Sequence, residues 1–588
     1  MNTPVRSYPV AFDRCQGVLT LADQDAQKDC AVLLLRPWGF DELCSRKFYR
    51  VLAESLTRAG LATLRFDYPG TGDSLDLPEG ECLADWRNAA LAAADRLRRE
   101  TGCGQILLCG MGAGAIPAHL VAAERSDVAG MIYAAPVTNG RRYLRETALR
   151  SKMIVEGLGL PADSLPTDRL TIAGFALSTA LADDFKSIRL DNQPHARKFP
   201  ALVLERASSA SDGGFAEHLA GDGHEVTRQP FLGYDTLMED PTSSRVPVAA
   251  VETIVNWCEL HATEMPAQNK RTAATPNPDR LAAPGFTEQA VFVGKPPGLY
   301  GVVCEPVRVC PSAPVVVFLN AGYDHHVGWG RAWVDAARDL ARVGAVSLRL
   351  DLANIGDSAP TSGAPDQVLY TDGAISDISR VLDEITKRFD GPITLVGRCS
   401  GAYSAFHAGY RDPRISQLLL CNQVRLIWDP EESLTDASRM GPRSMGDYKK
   451  RLADPRTVRR LFAGQIDLRG VLRGLSIHAV TRASHALAPV LCGISKYARF
   501  RAECHAMFNA LRARNVQVHF LCSEGDESLE QLGLYFGKTL SGLKAYPNVT
   551  LTRLPDADHN LTPDDARAAL RAKLREIAAL PADQRLSA

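Results

Sequence analysis

The sequence predicts two α/β domains in tandem, each a mostly parallel sheet flanked by helices and carrying a helical cap insertion. Three observations predict it. The first is an internal repeat. Residues 61–74 read LATLRFDYPGTGDS and residues 345–358 read AVSLRLDLANIGDS, so that Asp67 and Asp351 each end an apolar strand before a turn closing on Gly-Asp-Ser. The second is a later pair of strands, QILLCGMGAGAIPAHL and PITLVGRCSGAYSAFHAG, each running into a Gly-rich turn and a small-residue helix. The Asp pair is 284 positions apart and the turn pair, Gly112 and Cys399, is 287 apart. Two motifs in step indicate a duplication. The third is the alternation of strands with helical patterns, which implies parallel strands with both faces covered.

Composition fits this class and excludes others. The 588 residues are 45% hydrophobic and 23% charged, the balance of a globular protein with more than one core. A net charge of −1 argues against nucleic acid or an anionic membrane surface as the main partner. No apolar run reaches the roughly 18 residues of a membrane span, and the first residues carry no apolar signal core. Fourteen cysteines in so long a chain do not form a disulfide scaffold, and no CxxC pair suggests zinc. The expectation is a reduced, cytoplasmic protein without metal or cofactor.

In chain order, the first domain is read as residues 1–262. Phe48, Leu52 and Leu56 share one face of a helix before its first repeated strand. A helical insertion follows near 138–192. Residues 263–285, rich in Pro, Ala, Thr and Asn, read as a linker. The second domain is 286–588. Trp333, Ala337 and Leu340 repeat the helical face, and its insertion lies near 424–505. An insertion at this point of an α/β sheet usually caps the active-site end.

Gly397-Arg398-Cys399-Ser400-Gly401 follows the strand ITLV and enters a helix. This is the G-x-nucleophile-x-G elbow of α/β-hydrolases with cysteine at its centre. The central residue sits in a strained strand-to-helix turn, so flanking glycines must allow close backbone approach. The helix N-terminus favours thiolate. A small buried cysteine in a tight turn is the bland alternative, and Ser400, one position off centre, is the competing nucleophile. An acid and a base are needed downstream. VQVHFLCSEGDESLEQL offers Asp526, with Glu524 second, and VTLTRLPDADHNLTP offers His559. The order Cys399, Asp526, His559 is the one this fold demands. The N–H groups of Ser400 and Tyr323, the latter in the loop after APVVVFLN, are the candidate oxyanion hole. His325 and His326 follow; pocket-lining and surface positions are both open for them, and they lack a carboxylate at ligand spacing for a metal.

The first copy lacks these groups. Gly112 stands in the nucleophile position of Gly110–Gly114, and Asp235 falls where His559 does, so this copy reads as non-catalytic. Gly110 to Ala115 also fits a dinucleotide-binding G-x-G-x-x-A, but the following strand, MIYAAP, lacks the acidic residue that reading requires.

The whole chain resembles the exosortase A system-associated hydrolases of the α/β-hydrolase superfamily, near its serine aminopeptidase-like group. LRPWGFDELCSRKFYRVLAESLTRAGLATLRFDYPGTGDS, APVTNGRRYLRE and LTIAGFALSTALADDFKSIRL resemble the type-2 proteins. GRCSGAYSA, NQVRLIWDPEES and YKKRLADPRTVRRLFAGQIDLRGVLRGL resemble the type-1 proteins, whose elbow carries cysteine. The resemblance implies two tandem α/β-hydrolase domains and acyl-group chemistry near acyl-carrier proteins. The expected function is an acyl-processing enzyme working through an acyl-cysteine, as thioesterase, esterase or acyltransferase. The substrate would be an acyl thioester or ester, with an acyl-carrier protein as its possible bearer. The rival reading is a non-catalytic acyl-binding or scaffold protein built from two decayed domains.

Overall fold

The computed structural model describes residues 5–161, 164, 166–265, 279–432 and 495–579. In the first domain the strands are β1 (Arg6–Phe12), β2 (Cys15–Leu21), β3 (Cys30–Leu35), β4 (Ala62–Phe66), β5 (Gln105–Met111), β6 (Val128–Ala134), a short β7 (Thr171–Ile172) and β8 (Phe175–Ala176), β9 (Ala201–Glu205) and β10 (Val226–Pro230). The helices are α1 (Phe40–Arg58), α2 (Leu83–Thr101), α3 (Ala115–Glu124), α4 (Gly140–Gly157), α5 (Thr179–Ser187), α6 (Ala210–Gly221), α7 (Tyr234–Leu237) and α8 (Val248–His261). The main sheet runs β1-β2-β4-β3-β5-β6-β9-β10. The β1/β2 and β2/β4 pairs are antiparallel, and the remaining pairs are parallel. Strands such as β3, CAVLLL, are apolar throughout because helices cover both faces.

The second domain has β11 (Leu281–Ala283), β12 (Phe286–Val293), β13 (Leu299–Pro306), β14 (Val315–Phe318), β15 (Val346–Leu350), β16 (Ile393–Arg398), β17 (Ile415–Cys421), β18 (Gln517–Ser523) and β19 (Val549–Leu554). Its helices are α9 (Ala332–Arg342), α10 (Asp372–Ile385), α11 (Ser400–Arg411), α12 (Lys496–Ala513), α13 (Glu527–Phe536) and α14 (Asp564–Ile577). The sheet order, β11-β12-β13-β15-β14-β16-β17-β18-β19, reproduces that of the first domain with one extra edge strand. That strand, β11, starts before position 286, inside the stretch read as linker. The α/β-hydrolase architecture expected from sequence is present in both halves.

The first insertion forms α4, the β7/β8 hairpin and α5. Most of the second, 433–494, lies outside the described residues. Among the described residues no helix is long and apolar enough to cross a membrane.

The two domains meet through their repeated strands. Val18 packs with Ala290, Tyr300 and Val302. Around this apolar seam the repeated charges cross over. Arg349 of β15 bonds Asp73 of the first domain at 2.9 Å, and Arg65 of β4 bonds Asp357 of the second at 3.0 Å. Arg46 of α1 also reaches Asp357, at 2.7 Å. His326 stands between Asp351 and Asp73, at 2.8 and 2.6 Å. All are buried.

Candidate active site

The strand β16 delivers Cys399 into a turn with φ 53° and ψ −118°, and α11 begins at the next residue. The flanking glycines are obligatory. A Cβ on Gly397 would lie 2.2 Å from the Gly401 backbone, and one on Gly401 would lie 2.3 Å from the Asn320 carbonyl oxygen. The Cys399 N–H donates to the Cys421 carbonyl at 3.0 Å, tying the elbow to β17.

Asp526 ends the turn after β18 and caps α13, its Oδ1 accepting from the Ser528 N–H at 2.8 Å. Its Oδ2 lies 2.7 Å from His559 Nδ1, in the loop after β19. Glu524, the second choice, is exposed. The ring of His559 is close enough to the Cys399 thiol for each to shift the other's ionisation. Burial disfavours the imidazolium, but Asp526 and Cys399 together raise His559 from 6.5 to about 10. Burial likewise pushes the Cys399 thiol up, yet His559, Arg398 and the Ser400 N–H overcome it and hold the thiol below its ordinary value. The resting form favoured by this geometry is a thiolate–imidazolium pair.

Ser400 is not placed as a nucleophile. Its buried Oγ accepts a 2.8 Å hydrogen bond from the Gly322 N–H, which turns it toward the loop after β14. Gly322 has φ +57°, and the next amide, that of Tyr323, has no partner among the described residues.

Three residues that sequence reading missed complete the site. Asn422 is fully buried; its amide donates to Ser523 Oγ and to the carbonyls of Asp558 and His559, and it accepts from the Ser523 N–H. It thus joins the acid loop to the base loop. Tyr370 lies close enough to Cys399 for the two to affect each other's ionisation and stacks on Trp428 at 4.4 Å. Arg398 pairs with Asp324 at 2.7 Å behind the elbow and also bonds Asn560. The only sequence signal for Asn422 was a polar residue closing an apolar strand; Tyr370 gave none.

The surface position left open for His325 and His326 is corrected. Both are buried at the domain boundary, and His325 Nε2 lies 3.1 Å from Glu42. His326, Asp351 and Asp357 approach closely enough for a cation. The donor set does not fit one: carboxylates occupy both ring nitrogens of His326, and Arg46 and Arg65 occupy the two oxygens of Asp357.

In the first domain the turn is preserved with glycine at its centre. Gly112 has φ +55°, and Cβ atoms on Gly110 and Gly114 would meet backbone at 2.7 and 2.3 Å. Asp235 is exposed on α7. A cavity of about 610 Å³ lies nearby, between Trp38, the β7/β8 hairpin and Arg331, Arg567 and Arg571 of the second domain. Cys399, His559 and Asp526 do not line it.

Residues 32–285 match the model of the alpha/beta hydrolase family. No curated protein matches the chain. Among solved structures, Est1E from Butyrivibrio proteoclasticus bound to ferulic acid is 19% identical, over 43% of this chain and 98% of that one, with a TM-score of 0.32. The thioesterase domain from the curacin biosynthetic pathway is 17% identical over 49% and 99%, at 0.28. Mouse alpha/beta hydrolase domain-containing protein 10 is 14% identical over 49% and 97%, also at 0.28. With the family match over residues 32–285 and the same sheet order and elbow in both halves, the chain carries the fold of the alpha/beta hydrolase family twice.

Proposed function

We propose that the second domain is an acyl-processing enzyme that works through an acyl-cysteine, and that the first is a non-catalytic partner domain. The observation that carries this is the Cys399–His559–Asp526 array on a strained elbow. The Cys399 thiolate attacks the carbonyl of an acyl thioester or activated ester. The C–S or C–O bond to the leaving group then breaks, and His559 gives its proton to the departing thiol or alcohol. The N–H groups of Ser400 and Tyr323 hold the oxyanion, each worth about 3 kcal/mol in a preformed hole. In the second half-reaction His559 takes a proton from water, an amine or a hydroxyl as it attacks the thioester. Asp526 fixes the imidazole and its charge.

The first domain has glycine where a nucleophile is required and an exposed Asp235 where a base is required. The resemblance to exosortase A system-associated hydrolases supports an acyl donor borne by an acyl-carrier protein. Intact-mass spectrometry after incubation with a panel of acyl thioesters and acyl-carrier proteins tests the reading. An acyl increment that maps to Cys399 and is absent from Cys399→Ala is expected. A chain that never gains mass, with Cys399 inert to small alkylating reagents, would favour an acyl-binding scaffold instead.

A further inference from the structure

The first domain reaches the loop of the second that carries Gly322 and Tyr323. Arg46 and Arg50 of α1 bond Asp357 and the Gly356 carbonyl of the second domain, at 2.7 and 3.2 Å. Lys47, between them, is thereby fixed beside Tyr323, its Nζ 6.0 Å from the ring centroid. From the other side the loop after α7 packs on the same segment. Ser244 Oγ holds that loop to α1 by donating to the Cys44 carbonyl at 2.9 Å. Thr242 Oγ1 then lies 3.0 Å from where a Gly322 Cβ would stand. Arg245, three residues on, is close enough to act on both Lys47 and the Tyr323 phenol.

Lys47 is partly buried and Arg245 is exposed, and neither has an ion pair or a side-chain hydrogen bond among the described residues. The neighbouring carboxylate, Asp366, is exposed and forms no bridge to either. Lys47 is half-buried, and burial together with Arg50 and Arg245 lowers its pKa. Holding a half-buried ammonium beside two guanidinium groups costs stability. Elsewhere along this boundary Arg46, Arg65, Arg338 and Arg349 all meet carboxylates. A partly buried cation without a counter-charge, next to the loop that carries the Tyr323 N–H, is where a ligand's charge would be expected.

We propose that the first domain supplies an anion-recognition site to the second domain's centre, with Lys47 and Arg245 receiving a phosphate or carboxylate of the acyl donor. This deepens the acyl-cysteine reading and rests on it for the identity of the donor. It also gives the non-catalytic domain a direct part in selecting substrate. A phosphate would belong to the carrier arm of a thioester, and a carboxylate to the acyl group or leaving group.

Two measurements on the full chain test this. In the first, Cys399 is alkylated with iodoacetate, which carries a carboxylate, and with neutral iodoacetamide. The ratio of the two rates should fall at least threefold in Lys47→Ala and further in Lys47→Ala/Arg245→Ala, and the fall should vanish in 1 M salt, where charges are screened within about 3 Å. In the second, Cys399→Ala is titrated calorimetrically with coenzyme A, with and without Lys47→Ala, so that no reaction is needed. A Kd raised about tenfold by Lys47→Ala assigns the anion to the carrier phosphate. An altered alkylation ratio with unaltered coenzyme A binding assigns it to a carboxylate. An unaltered ratio together with equal coenzyme A affinity overturns the proposal. Cys399 inert to both reagents would overturn the acyl-cysteine reading, and the coenzyme A titration alone would then decide the anion site.

Discussion

Removing His559 should change how Cys399 reacts across pH. A rise of His559 from 6.5 to about 10 corresponds to about 5 kcal/mol in favour of the imidazolium. Asp526 and the Cys399 sulfur supply it against burial. While that imidazolium persists, the thiol beside it ionises below its ordinary value of 9.0. Alkylation of the parent by neutral iodoacetamide should therefore stay nearly flat from the depressed thiol pKa up to high pH. In His559→Ala the burial that disfavours thiolate is opposed only by Arg398 and the Ser400 N–H. The thiol should return to 9.0 or above, which leaves about 1% or less as thiolate at pH 7. The alkylation rate at pH 7 should then fall, by at most about 100-fold where the parent thiol is fully ionised, and climb tenfold per pH unit. Asp526→Asn, which removes the largest favourable influence on His559, should fall between parent and His559→Ala. Superimposable pH profiles for parent and His559→Ala would refute the ion pair.

Other expectations concern the interface, pH and the site's supports. Asp357→Ala leaves Arg65 buried without a carboxylate and Arg46 with only Glu42 and Asp67, and should cost about 3–5 kcal/mol in denaturant unfolding; a parent-like midpoint would contradict it. His326 is raised from 6.5 to about 10, so its stabilisation is complete below pH 6.5 and is lost as pH rises through about 10. Melting temperature should fall across that window, and His326→Gln should show a shallower fall. Gly112→Ser should create no acyl transfer, because Asp235 is exposed and acidic, and should destabilise by about 1 kcal/mol through its positive φ; acylation of the first domain by mass spectrometry would contradict it. Asn422→Ala unties the base loop from the acid loop and should lower kcat/KM about tenfold, roughly 1.4 kcal/mol.

The candidate residues of the site were legible because their spacing follows from backbone constraints. Gly397 and Gly401 must flank Cys399 for the elbow to close, and the strands β18 and β19 must deliver an acid and then a base. Glu524 and Asp526 could not be separated by sequence, since two positions in one turn differ only in which side chain faces the histidine. The supports were less legible for a different reason. Asn422 and Tyr370 act through geometry between distant segments, and neither sits in a motif of fixed spacing. The boundary between domains is an intermediate case. Arg65 and Arg349 stood in plain view as a charge in each repeated strand, LATLRF and AVSLRL, as did Asp73 and Asp357 in each Gly-Asp-Ser turn. A charge inside an otherwise apolar strand needs a buried partner. Equivalent charges in two repeats have an economical solution in which each copy satisfies the other.

That solution gives a domain with glycine at its elbow a structural part in the chain. The crossed pairs Arg65–Asp357 and Arg349–Asp73 have the character of an isologous dimer interface, in which one patch contacts its own equivalent. Fusion of two such units in one chain frees each copy to diverge while the contact holds both in place. Loss of the first domain would uncover Arg349, Asp357 and His326 together, and removing one partner of a buried pair costs several kcal/mol. His326 bonds through its own N–H to Asp351 Oδ1, and Asn320 bonds that same oxygen at 2.9 Å. The residues on either side of the Tyr323 loop are thus anchored to the network that Asp73 completes from the other domain. A first copy with glycine at its elbow would still be needed on this arrangement, because the anchoring of the second copy's loop passes through Asp73.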